Sequence, residues 1–127
     1  MLRDATLKFS REMTTTLMIQ QVTETAITVN GKPYAQTIAL TPDEVLASWT
    51  PKPIADLVEA DFESLLAKAP EILLLGTGPT NVFPPRELLF AFARRGIGLE
   101  SMDTAAAART FNVLSSEARQ VAAVLYL

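Results

Sequence analysis

The second half of the chain alternates between two spacings of apolar residues. Short continuous runs, typical of buried strands, alternate with segments in which apolar residues recur every three or four positions, as in helices. With Gly96 as a helix stop, the pattern predicts strand 72–75, helix 85–95, strand 97–102, helix 104–114 and strand 119–126. Strands that are joined through helices lie parallel, with right-handed crossovers. A parallel βαβαβ unit is therefore predicted.

The first half begins with the spacing of strands. Leu17–Val22 and Thr25–Val29 are predicted to be strands, and the second ends at Asn30-Gly31. This dipeptide favours a type I′ turn, which needs two residues with positive φ. A return strand from Tyr34 to Leu40 would complete an antiparallel hairpin.

Two short helices are predicted between the hairpin and the βαβαβ unit. Thr41-Pro42-Asp43-Glu44 has the form of a capping box with proline at the first helical position, which predicts a helix that reaches Trp49. Asp61 is predicted to cap a second helix, and Pro70 ends it.

Length and composition set the number of domains. The chain has 127 residues, of which 49% are hydrophobic, enough for one sizeable core. Residues 1–16 mix charged and small polar groups and are predicted to be a flexible N-terminal arm, whereas 17–127 are predicted to be a single α/β domain. The predicted fold class is a mixed β-sheet, built from an antiparallel hairpin and a parallel βαβαβ unit and flanked by helices.

Missing residue types exclude much of catalytic chemistry. The sequence contains no cysteine and no histidine, which rules out the usual zinc sites and the Ser-His-Asp and Cys-His nucleophile pairs. Glu59, Asp61 and Glu63 lack the glycine and terminal glutamate of a calcium loop. No catalytic residue, metal site or cofactor is predicted, and whether the protein is an enzyme stays open.

Net charge and hydropathy indicate which classes of partner and which cellular location to expect. The net charge is −3, so clustered positive charge for nucleic acid is not expected. No apolar run reaches 18 residues, and residues 1–16 contain no signal-like apolar block. We therefore expect a cytoplasmic protein with no transmembrane segment.

A polar cleft is predicted where the parallel strands end. The carboxyl ends of parallel strands share one edge of a sheet, so the loop after strand 72–75 should meet the start of helix 104–114. Backbone amides at such a helix start can bind an anion. The residues predicted to line this cleft are Gly76, Thr77, Gly78, Arg86, Asp103 and Thr104. The alternative is that Asp103 or Thr104 only caps its helix.

The glycine loop by itself carries little information about a nucleotide. Gly76-Thr77-Gly78 resembles the start of a dinucleotide fingerprint, but Asn81 stands where the third glycine belongs. A phosphate-loop motif, with Gly-Lys-Ser or Gly-Lys-Thr, does not occur. The loop is interpreted as a structural turn or a small-anion nest.

Apolar residues in the helix after this loop exceed what one buried face can hold. Leu88, Leu89, Phe90 and Phe92 are spread around more than one side of the helix. Exposed apolar area usually marks a site for a partner. A protein partner is therefore expected, although the sequence identifies neither the partner nor the oligomeric state.

Four segments together resemble a known family. They are Leu75-Gly76-Thr77-Gly78, Phe83-Pro84, the stretch from Arg95 to Glu100 and the stretch from Ala106 to Leu114. They resemble the uncharacterised domain family that includes the mitochondrial respiratory complex I assembly factor 3. The likeness covers residues 20 to 127 and implies a mixed sheet flanked by helices. The positions that match the family pattern, with roles left open, are Gly76, Gly78, Arg95, Gly96, Gly98, Arg109 and Asn112.

Two functions follow as expectations. The resemblance implies a non-enzymatic binding or assembly factor, and the absence of a transit-like N-terminus points to a bacterial member of the family. The alternative is a small-anion or nucleotide binder, or an enzyme, whose cleft lies at the Gly-Thr-Gly loop.

Overall fold

The computed structural model of the protein describes residues 16–46 and 49–127. The predicted arm, residues 1–16, lies outside this range except for Thr16. The described strands are β1 (Ile19–Val22), β2 (Ile27–Val29), β3 (Lys32–Tyr34), β4 (Ile38–Leu40), β5 (Val45–Leu46), β6 (Ile72–Gly76), β7 (Gly98–Met102) and β8 (Val121–Leu125). The described α-helices are α1 (Glu63–Leu66), α2 (Arg86–Arg94) and α3 (Thr104–Ser116), and two short 3-10 turns cover Ile54–Asp56 and Glu59–Phe62.

A five-stranded mixed sheet forms the centre of the structure. Its strand order is β5-β4-β8-β6-β7. β6 pairs parallel with β7 on one side and with β8 on the other, and β4 pairs antiparallel with β8. The predicted α/β fold class and the parallel βαβαβ unit are therefore confirmed.

The antiparallel hairpin is present, but it belongs to a sheet of its own. β1, β2 and β3 pair in that order, and the turn between β2 and β3 has φ +48° at Asn30 and +84° at Gly31. The return strand predicted from Tyr34 to Leu40 is wrong in its bounds. Residues 32–34 pair with β2, so only Tyr34 of the predicted strand lies in the hairpin, whereas residues 38–40 pair with β8. Every residue of β4 is buried, as expected of an inner strand that is covered on both faces.

The helix predicted to run from the Thr41 capping box to Trp49 is wrong. After a turn in which the Thr41 amide donates to the Glu44 carbonyl at 3.0 Å, the chain forms β5. β5 pairs antiparallel with β4, so an available sheet edge outweighs the local helical signal. Positions 47 and 48 lie outside the described residues.

The helix predicted near Asp61 is shorter than expected. A 3-10 turn precedes the four-residue α1, and Asp61 lies inside that turn rather than before it. Its carboxylate accepts the Val58 amide at 2.9 Å and the Lys52 ammonium at 2.9 Å. Burial alone would raise the pKa of Asp61, but these two donors outweigh it and hold the pKa below its usual value.

Apolar side chains cover both faces of the central sheet. On one face, Leu74 and Leu125 pack with Phe111 of α3 and with Ile19 and Ile27 of the smaller sheet. The other face is covered by α1, α2 and the second 3-10 turn, and its buried residues include Leu73, Leu75, Val124, Phe62, Leu88 and Phe92. The two cores explain why the strands are apolar at consecutive rather than alternate positions.

Thr104, the first residue of α3, fastens the ends of β6 and β8. Its hydroxyl accepts the Gly78 amide at 2.8 Å and donates to the Tyr126 carbonyl at 2.7 Å. A Cβ at Gly76 would lie 3.0 Å from the Cα of Thr104, closer than most packed atoms lie. Glycine at position 76 therefore lets α3 approach the strand closely enough for these bonds.

Asn112 of α3 holds the smaller sheet against the helix. Its side-chain amide accepts the Ile19 amide at 2.9 Å and donates to the Ile19 carbonyl at 2.8 Å. The register of β1 on β2 shifts between Ile19 and Gln21. Asn112 thus satisfies both backbone groups of Ile19 in the way that a neighbouring strand would.

Replacing Thr104 with valine is expected to destabilise the fold by about 1–3 kcal/mol, because the Gly78 amide and the Tyr126 carbonyl, both partly buried, lose their partner. The measurement is the free energy of unfolding in urea. Thr110→Val is the matched control, since the Thr110 hydroxyl bonds only to the Ala106 carbonyl of its own helix and to the Met102 sulfur. Equal losses in the two variants would contradict the special role of Thr104.

Asn112→Ala is expected to cost about 1–3 kcal/mol in the same measurement, since both backbone groups of Ile19 lose their partner. Arg109→Ala changes the same helix at an exposed position and is expected to stay within about 0.5 kcal/mol of the parent. The Ile19 amide should also exchange its hydrogen with solvent faster in Asn112→Ala than in the parent. An unchanged Ile19 amide would show that the side chain does not hold β1.

Candidate functional site

Three of the six residues predicted for the strand-end cleft line one groove. Gly78, Asp103 and Thr104 border a groove of about 420 Å³ between the end of β1 and the start of α3. The remaining lining residues are Val22, Thr23, Glu24, Pro79, Ala105, Tyr126 and Leu127. The carboxyl ends of β6 and β7 thus lie at the same edge of the sheet, as their parallel pairing requires.

The other three predicted residues are placed elsewhere. Gly76 is buried against Thr104. The Thr77 hydroxyl donates to the Thr80 carbonyl at 2.6 Å and accepts the Val82 amide at 2.9 Å, so it holds its own loop together. Arg86 is exposed at the first position of α2 and is absent from the groove lining that the described residues form.

Acidic groups dominate the electrostatics of the groove. Asp103 caps α3, because its carboxylate accepts the Ala106 amide at 2.8 Å. A negative charge thus already occupies the helix N-terminus that an anion would need. The charged side chains along the lining, Glu24 and Asp103, are both acids. These acids favour a neutral or cationic ligand over phosphate in the groove. The cleft of six residues stays a prediction.

The phenol that borders the groove is engaged within the fold. The Tyr126 hydroxyl donates to the Lys52 carbonyl at 2.6 Å, and burial raises the pKa of this phenol above its ordinary value, so it is neutral at pH 7. Within residues 16–46 and 49–127, no three acidic side chains cluster as metal ligands would.

The family-pattern positions whose roles were open have mainly structural surroundings. Arg95 forms an ion pair with Glu59 of the second 3-10 turn. Gly96 has φ +74° and ends α2, as predicted. A Cβ at Gly98 would lie 3.3 Å from Ile72. The hydrogen bonds between Asn112 and Ile19 could not be predicted from the spacing of residues, because the two residues lie 93 positions apart.

Four large apolar side chains are exposed on α2 and on the loop before it. We call this set the aromatic surface, and it consists of Val82, Phe83, Leu89 and Phe90. Phe83 is 77% exposed and Phe90 is 55% exposed. The uneven spacing of apolar residues in α2 predicted exposure of this helix. Phe83 was missed, because a single aromatic residue in a loop has no period.

Arginines flank the aromatic surface. Arg86 and Arg94 lie at the two ends of α2 and are exposed. Neither forms an ion pair with any of the described residues. Phe90 follows Arg86 by four positions, so the two share the outer face of the helix, opposite the buried Leu88 and Phe92.

Curated relatives match over parts of their length. The chain is 32% identical over 72 residues to the "13 kDa major membrane protein" of Francisella tularensis subsp. holarctica (strain LVS), a match that covers 57% of this chain and 58% of the relative. It is 32% identical over 117 residues to "NADH dehydrogenase [ubiquinone] 1 alpha subcomplex assembly factor 3" of Bos taurus, over 91% of this chain and 63% of the relative. The matches thus span about three fifths of these relatives.

A solved structure supports the fold. The Xanthomonas campestris protein XCC1710 superposes with a TM-score of 0.78 at 41% identity, over 87% of this chain and 84% of that one. In the described part of this chain, no helix has both the length and the apolar character to cross a bilayer.

A family model matches residues 19–126, which is most of the chain. The matched range contains both sheets, the Gly-Thr-Gly loop and the family-pattern positions. It also agrees with the resemblance seen in the sequence, since relatives named as assembly factor 3 are found at 32% identity. The chain belongs to the family described as "Protein of unknown function (DUF498/DUF598)".

Proposed function

We propose that this protein is a non-enzymatic assembly factor that binds another protein through the aromatic surface. The observation that carries the proposal is the exposure of Val82, Phe83, Leu89 and Phe90 on one helix and the loop that leads into it. Large aromatic side chains in contact with water cost free energy that burial against a partner would recover. Aromatic residues and arginine are also the types that dominate binding energy at protein interfaces.

Related proteins supply the class of task. The Bos taurus relative is named for assembly of a NADH dehydrogenase subcomplex, and the Francisella tularensis relative is named as a membrane protein. We infer that this chain helps to assemble a membrane-associated complex by holding one of its protein components. We place this action in the cytoplasm of a bacterial cell, where the chain would meet such a complex from one side.

The strand-end groove is a weaker basis for function. Its acidic lining and the capped N-terminus of α3 disfavour a phosphate or a nucleotide. The aromatic surface, in contrast, exposes apolar side chains, and the arginines that flank it, Arg86 and Arg94, form no ion pair with any described residue. We therefore place the partner on α2 rather than at the Gly-Thr-Gly loop.

A photo-crosslinking amino acid at position 83 or 90, in cells that contain the native partner, is expected to capture the same protein from both positions. Position 113 is the matched control, because Val113 is 54% exposed but lies on α3, which covers the opposite face of the central sheet. Capture of no protein from positions 83 and 90, or of the same proteins from all three, would contradict the proposal.

Phe90→Ser is expected to weaken binding of the captured protein at least 10-fold, a loss of about 1.4 kcal/mol or more. Val113→Ser should change the dissociation constant less than 2-fold. The measurement is titration calorimetry with the purified partner, and the free energy of unfolding of each variant serves as the check on folding. Equal affinities of the two variants would show that the aromatic surface is not the interface.

A further inference from the structure

The outer edge of β7 carries backbone groups without partners among the described residues. β7 is the last strand of the five-stranded sheet, and β6 occupies only its inner side. The Gly98 amide donates to the Glu71 carbonyl at 3.1 Å, and the Met102 carbonyl accepts the Thr77 amide at 2.9 Å, so these residues face inward. Because successive residues of a strand point their backbone groups to opposite sides, Leu99 and Ser101 face outward. Neither forms a backbone hydrogen bond there with any described residue.

The geometry of this edge is suited to a further strand. All five residues of β7 pair with β6 in one unbroken register, without a bulge, and the strand contains no proline or lysine. Natural sheets usually protect a free edge with a bulge, a proline or a lysine, and β7 has none of these. Only one charged side chain, Glu100, lies on β7. The edge therefore retains a regular row of donors and acceptors.

We propose that the partner adds a β-strand to the free edge of β7 and thereby extends the central sheet. This inference rests on the proposed function, because it specifies how the bound protein contacts this chain. α2 packs on β7, so an added strand would lie next to the helix that carries Leu89 and Phe90. Backbone hydrogen bonds would supply affinity, and side chains on the two faces would supply specificity.

The side chains of β7 indicate which residue types would fit in the added strand. Leu99 belongs to the core beneath α2, so the residues next to it on that face should be apolar. Glu100 points to the opposite face, is exposed and forms no ion pair among the described residues. A lysine or arginine opposite Glu100 would complement its charge. The strand is therefore one in which apolar and basic residues alternate.

The same charge argues against a second copy of this chain as the occupant. If two copies paired antiparallel over the whole of β7, Glu100 would lie directly opposite Glu100. Like charges in such a pair destabilise a sheet. The occupant is therefore a strand of a different protein.

Selection of displayed random ten-residue peptides on the full chain tests the proposal. Selected peptides are expected to alternate apolar and basic residues and to slow hydrogen exchange at the Leu99 and Ser101 amides. With Glu100→Lys, the selected residue at the facing position should change from basic to acidic. Peptides without alternation, or unchanged exchange at both amides, would overturn the proposal, and so would recovery of no binding peptide.

Ser101→Pro supplies the decisive variant. Proline removes the outward N–H of residue 101 and obstructs an added strand, but it leaves the inward bonds to β6 in place. Ser101→Ala, which keeps the N–H, is the control. We expect peptide binding to be at least 10-fold weaker with proline and within 2-fold of the parent with alanine. Equal binding to both folded variants would overturn strand addition, and the exchange measurement on the parent decides the matter if the proline variant unfolds.

The protein captured through positions 83 and 90 separates this inference from the proposed function. If that protein binds Ser101→Pro as tightly as Ser101→Ala, strand addition is wrong and the proposed function stands. If no protein is captured, the proposed function fails whatever the peptides do.

Discussion

Burial of the central sheet on both faces is the constraint on which the structure depends. In β8 every residue is buried, and in β6 all but the first are buried. Consecutive apolar residues of a strand point to opposite faces, so each face needs its own cover. α3 and the smaller sheet cover one face, and α1, α2 and the 3-10 turns cover the other. The two connections of the βαβαβ unit therefore lie on opposite faces, with α2 between β6 and β7 on one and α3 between β7 and β8 on the other.

This arrangement decides which surfaces remain for function. Close approach of α3 to β6 leaves the hydroxyl of Thr104 bonded to backbone on both sides, and Asp103 caps the helix. The polar groups that made the strand ends attractive as a ligand site are thus mostly engaged within the fold. Exposed apolar side chains lie on α2, at Leu89 and Phe90, and the neighbouring strand β7 has a free edge. Both features are suited to a macromolecular partner.

Structure that depends on neighbouring residues in the sequence was predictable. Asn30-Gly31 predicted its turn because both residues tolerate positive φ. The run from Ile72 to Leu75 predicted a buried parallel strand because it is apolar at consecutive positions. The segment from Thr41 to Trp49 failed for the opposite reason: its capping signal is local, but the edge of β4 offered strand pairing that no local pattern announces. At the candidate site, the meeting of Gly78 with Asp103 followed from topology, whereas the bonds that occupy Thr77 required the folded loop.

The sequence by itself determined the fold class, the parallel half, the main helices and the absence of histidine and cysteine chemistry, because these depend on residue type and spacing. Only the tertiary structure decided that residues 32–40 divide between two sheets, that Asn112 bonds to Ile19, and that Phe83 and the outer edge of β7 face solvent. Those outcomes depend on which segments, distant along the chain, compete for the same neighbours. The spacing of apolar residues indicates which side of a helix or strand can be buried. A contact between residues 93 positions apart depends instead on how the elements pack.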